Sequence, residues 1–339
     1  MASLLVASGL ALVGTVIVWL AGGRLEESSA ALGRYYGLPQ VVQGAVIAAI
    51  GSSFPELSSS VLAVVRHGSF DLGVGAVVGS AIFNILVIPG IAALSGRGLD
   101  ADRDVVYKEA QFYMLSVAVV LLVFSFGLIY YPGGTGAGGV GLATITPGLA
   151  LIPVGLYAVY VFIQWQDVGD ANVERDTQVS AGRAWLVLAG SLIAILLGVE
   201  ALVVAAEDFG EIFDTPSFFW GLTVIAAGTS LPDTVVSVRA AEAGRGPTSL
   251  ANVLGSNVFD LLIAIPAGVI LAGGTVVSYG AAVPMMAMLT VATLLFLLVT
   301  RTDLVLTTRE GGLLLGAYAA FLGWVLAEAL DVTALIPGV

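Results

Sequence analysis

The 339-residue sequence contains no cysteine and a single histidine, His67. Disulfides, thiolate chemistry and cysteine metal sites are therefore excluded, and so is any site built from several histidines. His67 follows Arg66 and reads as a polar residue at a helix end. Lysine is almost missing: of twelve basic residues only Lys108 is one, and the others are arginines. Charged residues make up 11% of the chain against 58% hydrophobic. A soluble domain has little to be built from, and no nucleic-acid partner is expected.

What is present is apolar sequence in long runs, with a mean hydropathy of +1.02. Runs of about 20 residues recur, the length a helix needs to cross a bilayer. They are too long and too continuous for barrel strands. The expectation is an all-α polytopic membrane protein with ten transmembrane helices. These lie at 3–21, 39–65, 71–94, 111–130, 146–165, 183–205, 217–240, 248–272, 281–300 and 311–330. The first is too long for a signal peptide and lacks its flanks. The longest polar connection, 166–182, divides the chain into two five-helix halves, 1–165 and 183–339.

Basic residues collect in cytoplasmic loops. Alternate connections carry Arg24 and Arg34, then Arg97, Arg103 and Lys108, then Arg175 and Arg183, then Arg239 and Arg245, then Arg301 and Arg309. The other side has Arg66 alone. Both termini are thus expected outside the cell membrane, with 166–182 in the cytoplasm. The net charge of −12, concentrated in connections such as 167–176 and 207–214, points to a salt-rich habitat, where screening makes self-repulsion tolerable.

One stretch stands out from the oily background, AVIAAIGSSFPELSSSV at 45–61, and it returns as LTVIAAGTSLPDTVVSV at 222–238. At an offset of 177, Gly51, Ser52, Ser53, Pro55 and Glu56 fall on Gly228, Thr229, Ser230, Pro232 and Asp233. Each copy has a second part, GSAIFN at 79–84 and GSNVFD at 255–260, where Ser80 meets Ser256 and Asn84 meets Asp260. By the basic-residue count the two copies cross in opposite directions, an inverted repeat.

Carboxylates within a membrane helix are expensive and mark function. Proline lacks an N–H and clashes with the carbonyl four residues back, so the helices should open near Gly51–Ser52 and Gly228–Thr229. Freed carbonyls are tolerated in a membrane only where they line a cavity or meet a ligand. Hydroxyl, carbonyl and carboxylate then share one face. Pooled, the motifs offer three carboxylates, an amide and several hydroxyls, all oxygen, which suits hard cations such as Ca²⁺ and Na⁺. Broken helices meeting at a repeat interface are a transporter device.

These motifs resemble the two α-repeats of the sodium/calcium exchanger family, within the calcium/cation antiporter superfamily. The resemblance covers about 100 residues at the motifs, and the ten-span plan extends it along the chain. It implies electrogenic exchange of Na⁺ for Ca²⁺ by alternating access, with calcium extrusion as the default direction. On that resemblance Glu56 and Asp233 are central ligands for both ions. Ser52 and Thr229 lend backbone carbonyls, Ser53, Ser230, Ser80 and Ser256 serve sodium, and Asn84 and Asp260 complete the centre. The cations are cargo; no cofactor is expected, and one chain is the expected transport unit. Asp233 stands where many prokaryotic relatives have the longer glutamate, and Asp260 is the type found in potassium-dependent members, so potassium dependence stays open. The linker is too short for the regulatory domain of animal exchangers.

Three ionised carboxylates exceed the charge of one Ca²⁺. Either one acid is protonated when calcium is bound or further cations enter. A calcium/proton antiporter is the nearest rival, which the hydroxyl-rich GSS and GTS motifs disfavour. An intramembrane aspartyl protease would need aspartate signatures that do not occur, and a channel would not need broken inverted repeats. Ser58, Ser59 and Ser60 read as helix packing. Glu200 reads as a lining or entry-path residue or as an acid at a helix end, and Gly133–Gly139 as a flexible outer turn.

Overall fold

The computed structural model describes residues 4–37, 49–95, 98–103, 105–136, 141–166, 180–301, 303–330 and 332–333. Fourteen helical segments follow in order among the described residues: α1 Leu4–Tyr36, α2 Ala49–Ser52, α3 Phe54–Val65, α4 Phe70–Ser95, α5 Ala110–Tyr130, α6 Pro147–Gln166, α7 Ala181–Phe213, α8 Ser217–Trp220, α9 Ala226–Thr229, α10 Leu231–Glu242, α11 Gly246–Phe259, α12 Ile265–Leu271, α13 Tyr279–Arg301 and α14 Thr308–Ala329. Single π-helical turns precede α5 at Val105–Glu109, join α8 to α9 at Gly221–Ile225, and join α11 to α12 at Asp260–Ala264.

Eight helices among the described residues are long and apolar enough to span a membrane, and a ninth span is a pair broken and bent by 46° between Thr229 and Leu231. This is a multi-pass membrane protein whose spans are all helical. The expected span 39–65 is described only from Ala49, as α2 and the 12-residue α3; its start lies outside the described residues, as does linker segment 167–179.

The helices depart from expectation in length. α1 and α7 each run 33 residues, about 50 Å at 1.5 Å per residue, well beyond 3–21 and 183–205. No proline interrupts 22–36 or 206–213, so the helices continue past the hydrophobic stretch. The two pack antiparallel. Trp185 donates to the Tyr36 hydroxyl at one end (3.2 Å), and Ala7 clusters with Ala205 at the other. Between these, a Cβ on Gly14 would come within 2.7 Å of the Gly198 carbonyl, so the backbones touch where both residues are glycine.

α4 is the central post. Its first 24 residues are buried nearly throughout, on every face, as expected of a helix apolar all round. Its glycines admit neighbours: a Cβ on Gly79 would lie 2.3 Å from the Leu222 carbonyl.

Short strands were not anticipated. β1 (Leu99–Asp100) pairs with β5 (Val305–Leu306). β2 (Pro132–Thr135), β3 (Gly141–Ile145) and β4 (Thr275–Ser278) form a three-stranded antiparallel sheet. Gly133 and Gly134 thus lie in a strand rather than a flexible turn. They sit at a register irregularity, and Gly134 takes φ 101°, where glycine carries no steric penalty. Residues 137–140 are outside the described set.

Candidate functional site

Both helix breaks fall one residue after the position expected, at Ser53 and Ser230, the residues that precede α3 and α10. Pro55 and Pro232 occupy the second position of those helices, where a missing N–H costs nothing within the new helix. Their upstream partners, the Gly51 and Gly228 carbonyls, lose a donor. Glu56 and Asp233 take the third position of α3 and α10. Each carboxylate therefore sits in the first turn of a helix, where the helix dipole favours negative charge.

All ten residues singled out from the sequence are buried: Ser52, Ser53, Glu56, Ser80, Asn84, Thr229, Ser230, Asp233, Ser256 and Asp260 are each at most 4% exposed. They meet across the halves of the chain. Ser52 Oγ lies 3.2 Å from Ser256 Oγ, and Ser53 Oγ donates to the Ser256 carbonyl at 3.5 Å. Ser80 Oγ donates to Glu56 Oε1 at 3.1 Å and lies 2.8 Å from Ser230 Oγ. Asn84 Nδ2 donates to Asp233 Oδ2 at 3.4 Å. Thr229 faces Glu56 and bonds back to the Ala226 carbonyl at 3.3 Å.

The remaining valences carry the chemical message. Glu56 Oε2, Asp233 Oδ1, Asn84 Oδ1 and both Asp260 oxygens are buried without a hydrogen-bond partner among the described residues. Every one is an acceptor. Leaving buried acceptors unmet costs about 1–3 kcal/mol each, and a cation satisfies several at once. The three carboxylates stand within electrostatic reach of one another. They do not form a three-acid cage: among the described residues no three acidic or histidine side chains are disposed to share one ion. The pooled set expected from sequence is thus two opposed carboxylates with hydroxyl and amide oxygens between them, and Asp260 to one side at the start of a π turn. Single π turns inside helices recur at functional sites.

Sequence reasoning missed Asn257. It is fully buried, accepts from Asn84 Nδ2 at 3.0 Å and donates to the Ala81 carbonyl at 3.0 Å. Its counterpart at the 176-residue offset is Ala81 itself, so no repeated polar residue drew attention to it. Tyr113 and Tyr157 approach Asp260, and Asn252, bonded to Ser237 Oγ at 3.1 Å, approaches Asp233.

Outside this centre, Ser58 and Ser59 bond back to the Phe54 and Glu56 carbonyls at 2.7 and 2.8 Å, the packing role expected of them. Glu200 pairs with Arg66 Nε at 3.1 Å and His67 Nε2 at 3.4 Å, while His67 Nδ1 lies 2.9 Å from Glu207. Glu200 and His67 therefore belong to one ionic cluster joining the α3–α4 turn to α7.

The family model described as "Sodium/calcium exchanger protein" matches residues 6–166 and 183–327. The chain belongs to the sodium/calcium exchanger family. Inner membrane protein YrbG of Escherichia coli (strain K12) is 30% identical over 272 residues, covering 77% of this chain and 79% of that one. Sodium/calcium exchanger MaX1 of Methanosarcina acetivorans is 27% identical over 281 residues, covering 74% and 79%. The solved sodium-calcium exchanger NCX_Mj superposes with a TM-score of 0.62 at 24% identity, covering 95% of this chain and 99% of that chain; this likeness establishes the fold. The relatives are exchangers and membrane proteins, not enzymes.

Proposed function

We propose that this exchanger-family protein moves Na⁺ against Ca²⁺ by alternating access, with Glu56 and Asp233 as the shared ligands. Cation exchange follows from the family; sodium as the coupling ion and calcium extrusion as the direction are our inference. The observation that carries it is the set of five buried, unpartnered acceptor oxygens around two opposed helix breaks. Hydroxyls from Ser52, Ser53, Ser80, Ser230 and Ser256, with Thr229 beside them, surround those acceptors. They supply the small hard donors that sodium needs and a proton does not.

Ten spans in two inverted halves, 1–165 and 183–339, remain our reading of the topology. Its support is geometric. α3 leaves the centre toward Arg66, which pairs with Glu200 of α7, about four helical turns along that helix from Trp185. α10 leaves it toward Arg34 of α1, near Tyr36, which Trp185 contacts. The two acid-bearing helices therefore run to opposite faces. The contact of Ser80 with Ser230 also maps, under the repeat offset, onto that of Ser256 with Ser53. From the basic residues we read both termini as lying outside the cell membrane, with one chain holding the whole site.

Charge balance sets the coupling. With Glu56, Asp233 and Asp260 within electrostatic reach of one another, either one acid is protonated when Ca²⁺ binds or further cations enter, and the empty centre is too costly to occlude. The test is ⁴⁵Ca²⁺ uptake into sodium-loaded proteoliposomes. Wild type should accumulate calcium, and Glu56→Gln and Asp233→Asn should not. Uptake driven by a pH gradient and indifferent to sodium would instead establish a calcium/proton antiporter.

A further inference from the structure

Between α1, α10 and the start of α11 lies a cavity of 480 Å³, lined by Trp19, Glu26, Arg34, Pro232, Arg239 and Arg245 among others. At one end it reaches Pro232, the residue before Asp233. At the other it reaches Arg34 and Arg245: Arg34 is eight residues beyond Glu26 on a continuous helix, or about 12 Å further along it.

Glu26 holds a particular place in this cavity. One turn before it, a Cβ on Gly22 would come within 2.7 Å of Pro232 Cγ, and a Cβ on Gly51 would lie 3.7 Å from Glu26 Cα. α1 thus touches both helix breaks across four residues. Glu26 is the carboxylate at that junction, within electrostatic reach of Asp233, Glu27 and Arg239. Among the described residues Glu26 and Arg239 are not within ion-pair distance of any partner, since the ion pairs found there all involve Arg66 or His67. The corresponding gap on the opposite face, between α3 and α7, is bridged by the cluster of Arg66, His67, Glu200 and Glu207. Among the described residues, one face carries an ionic cluster and the other a cavity.

We infer that the α1–α10 cavity is the access path from the basic face to the cation site, and that Glu26 is a staging carboxylate for Ca²⁺ or Na⁺ on that path. Arg239 competes with the passing ion for Glu26 and so sets how strongly the path attracts cations. A carboxylate beside such a passage raises the local cation concentration, and a nearby guanidinium lowers it. This assignment rests on the transport function proposed above.

Two measurements test it. In proteoliposomes of known orientation, Glu26→Gln should raise the half-saturating Ca²⁺ concentration at the basic face about tenfold and leave the opposite face unchanged. Arg239→Gln should shift the same value downward, and Glu26→Asp should largely restore it. Equal shifts at both faces, or a fall in both variants, would overturn the staging role, because a merely structural contact does not give opposite signs at one face. The absence of native cysteine allows a second, transport-independent readout: Ala30→Cys, on the cavity wall, should react with a membrane-impermeant maleimide from the basic face only. Reaction from the opposite face, or none from either, would show that the cavity is not the path. Activity in Glu56→Gln with normal maleimide labelling would instead point to failure of the transport site.

Discussion

Ser80 Oγ donates to Glu56 Oε1 and also receives the hydroxyl of Ser230, 2.8 Å away. A hydroxyl has one proton to give, so Ser230 must donate to Ser80, and the chain of donors ends on the carboxylate. Removing Ser80 strips Glu56 of this hydroxyl donor and takes away an oxygen we assign to sodium. Ser80→Ala should raise the sodium concentration that half-activates calcium flux by about tenfold to a hundredfold, consistent with about 1.5–3 kcal/mol for a hydrogen bond to a charged group. ⁴⁵Ca²⁺ flux measured against sodium concentration gives the answer, and an unchanged sodium curve would remove Ser80 from the sodium site.

The buried acceptors should make the cation-free protein the less stable form. Saturating calcium, at about 100 times its dissociation constant, should stabilise the fold by about 2.7 kcal/mol, seen as a rise in unfolding temperature in detergent. Asp233→Asn should abolish that calcium-dependent rise. It should also raise the unfolding temperature without cations, since one buried charge is removed.

Much of this centre was legible in the sequence because its polar residues repeat. The twin motifs gave the two breaks, both carboxylates and their partner helices, and proline chemistry located each kink to within a residue. Asn257 escaped because the repeat places Ala81 opposite it, and symmetry is blind to a residue that works by being different. The lengths of α1 and α7 also escaped. Hydropathy ends near residue 21, but the helix continues because Gly22 and Glu26 lie against Pro232 and Gly51. The strands at 132–135 and 141–145 were hidden by glycine, whose composition signals a turn as readily as an irregular strand.

The ionic cluster on α7 predicts a shift in access. Both ring nitrogens of His67 face carboxylate oxygens, of Glu200 and Glu207, and Arg66 reinforces the first. Part-exposed ion pairs are worth up to about 1 kcal/mol. Glu207→Gln should therefore move the population toward opening at that face by about two- to fivefold. A single cysteine placed at Ser59, reacting faster in the Glu207→Gln background, would register the change; an equal rate in both backgrounds would exclude a latch.

Close packing of α4 gives a simple control. Gly79→Ala puts a methyl group 2.3 Å from the Leu222 carbonyl, so α4 and the π turn after α8 must part. A loss of about 1–3 kcal/mol is expected, read as a lower unfolding temperature in a variant whose ligands are all intact. Gly316→Ala, which meets nothing within 4 Å, should be neutral.

The two small sheets have a mechanical consequence. β1 pairs with β5, and β3 with β4, so in each case a strand from the first half of the chain is hydrogen-bonded to one from the second. Both sets lie in the connections flanking α5, α6, α13 and α14, while α1 and α7 carry no strand among the described residues. Backbone hydrogen bonds thus tie the two halves together around α5, α6, α13 and α14. Among the described residues the long glycine-matched pair α1 and α7 is held by side-chain and helix packing alone, with no strand pairing to fix it.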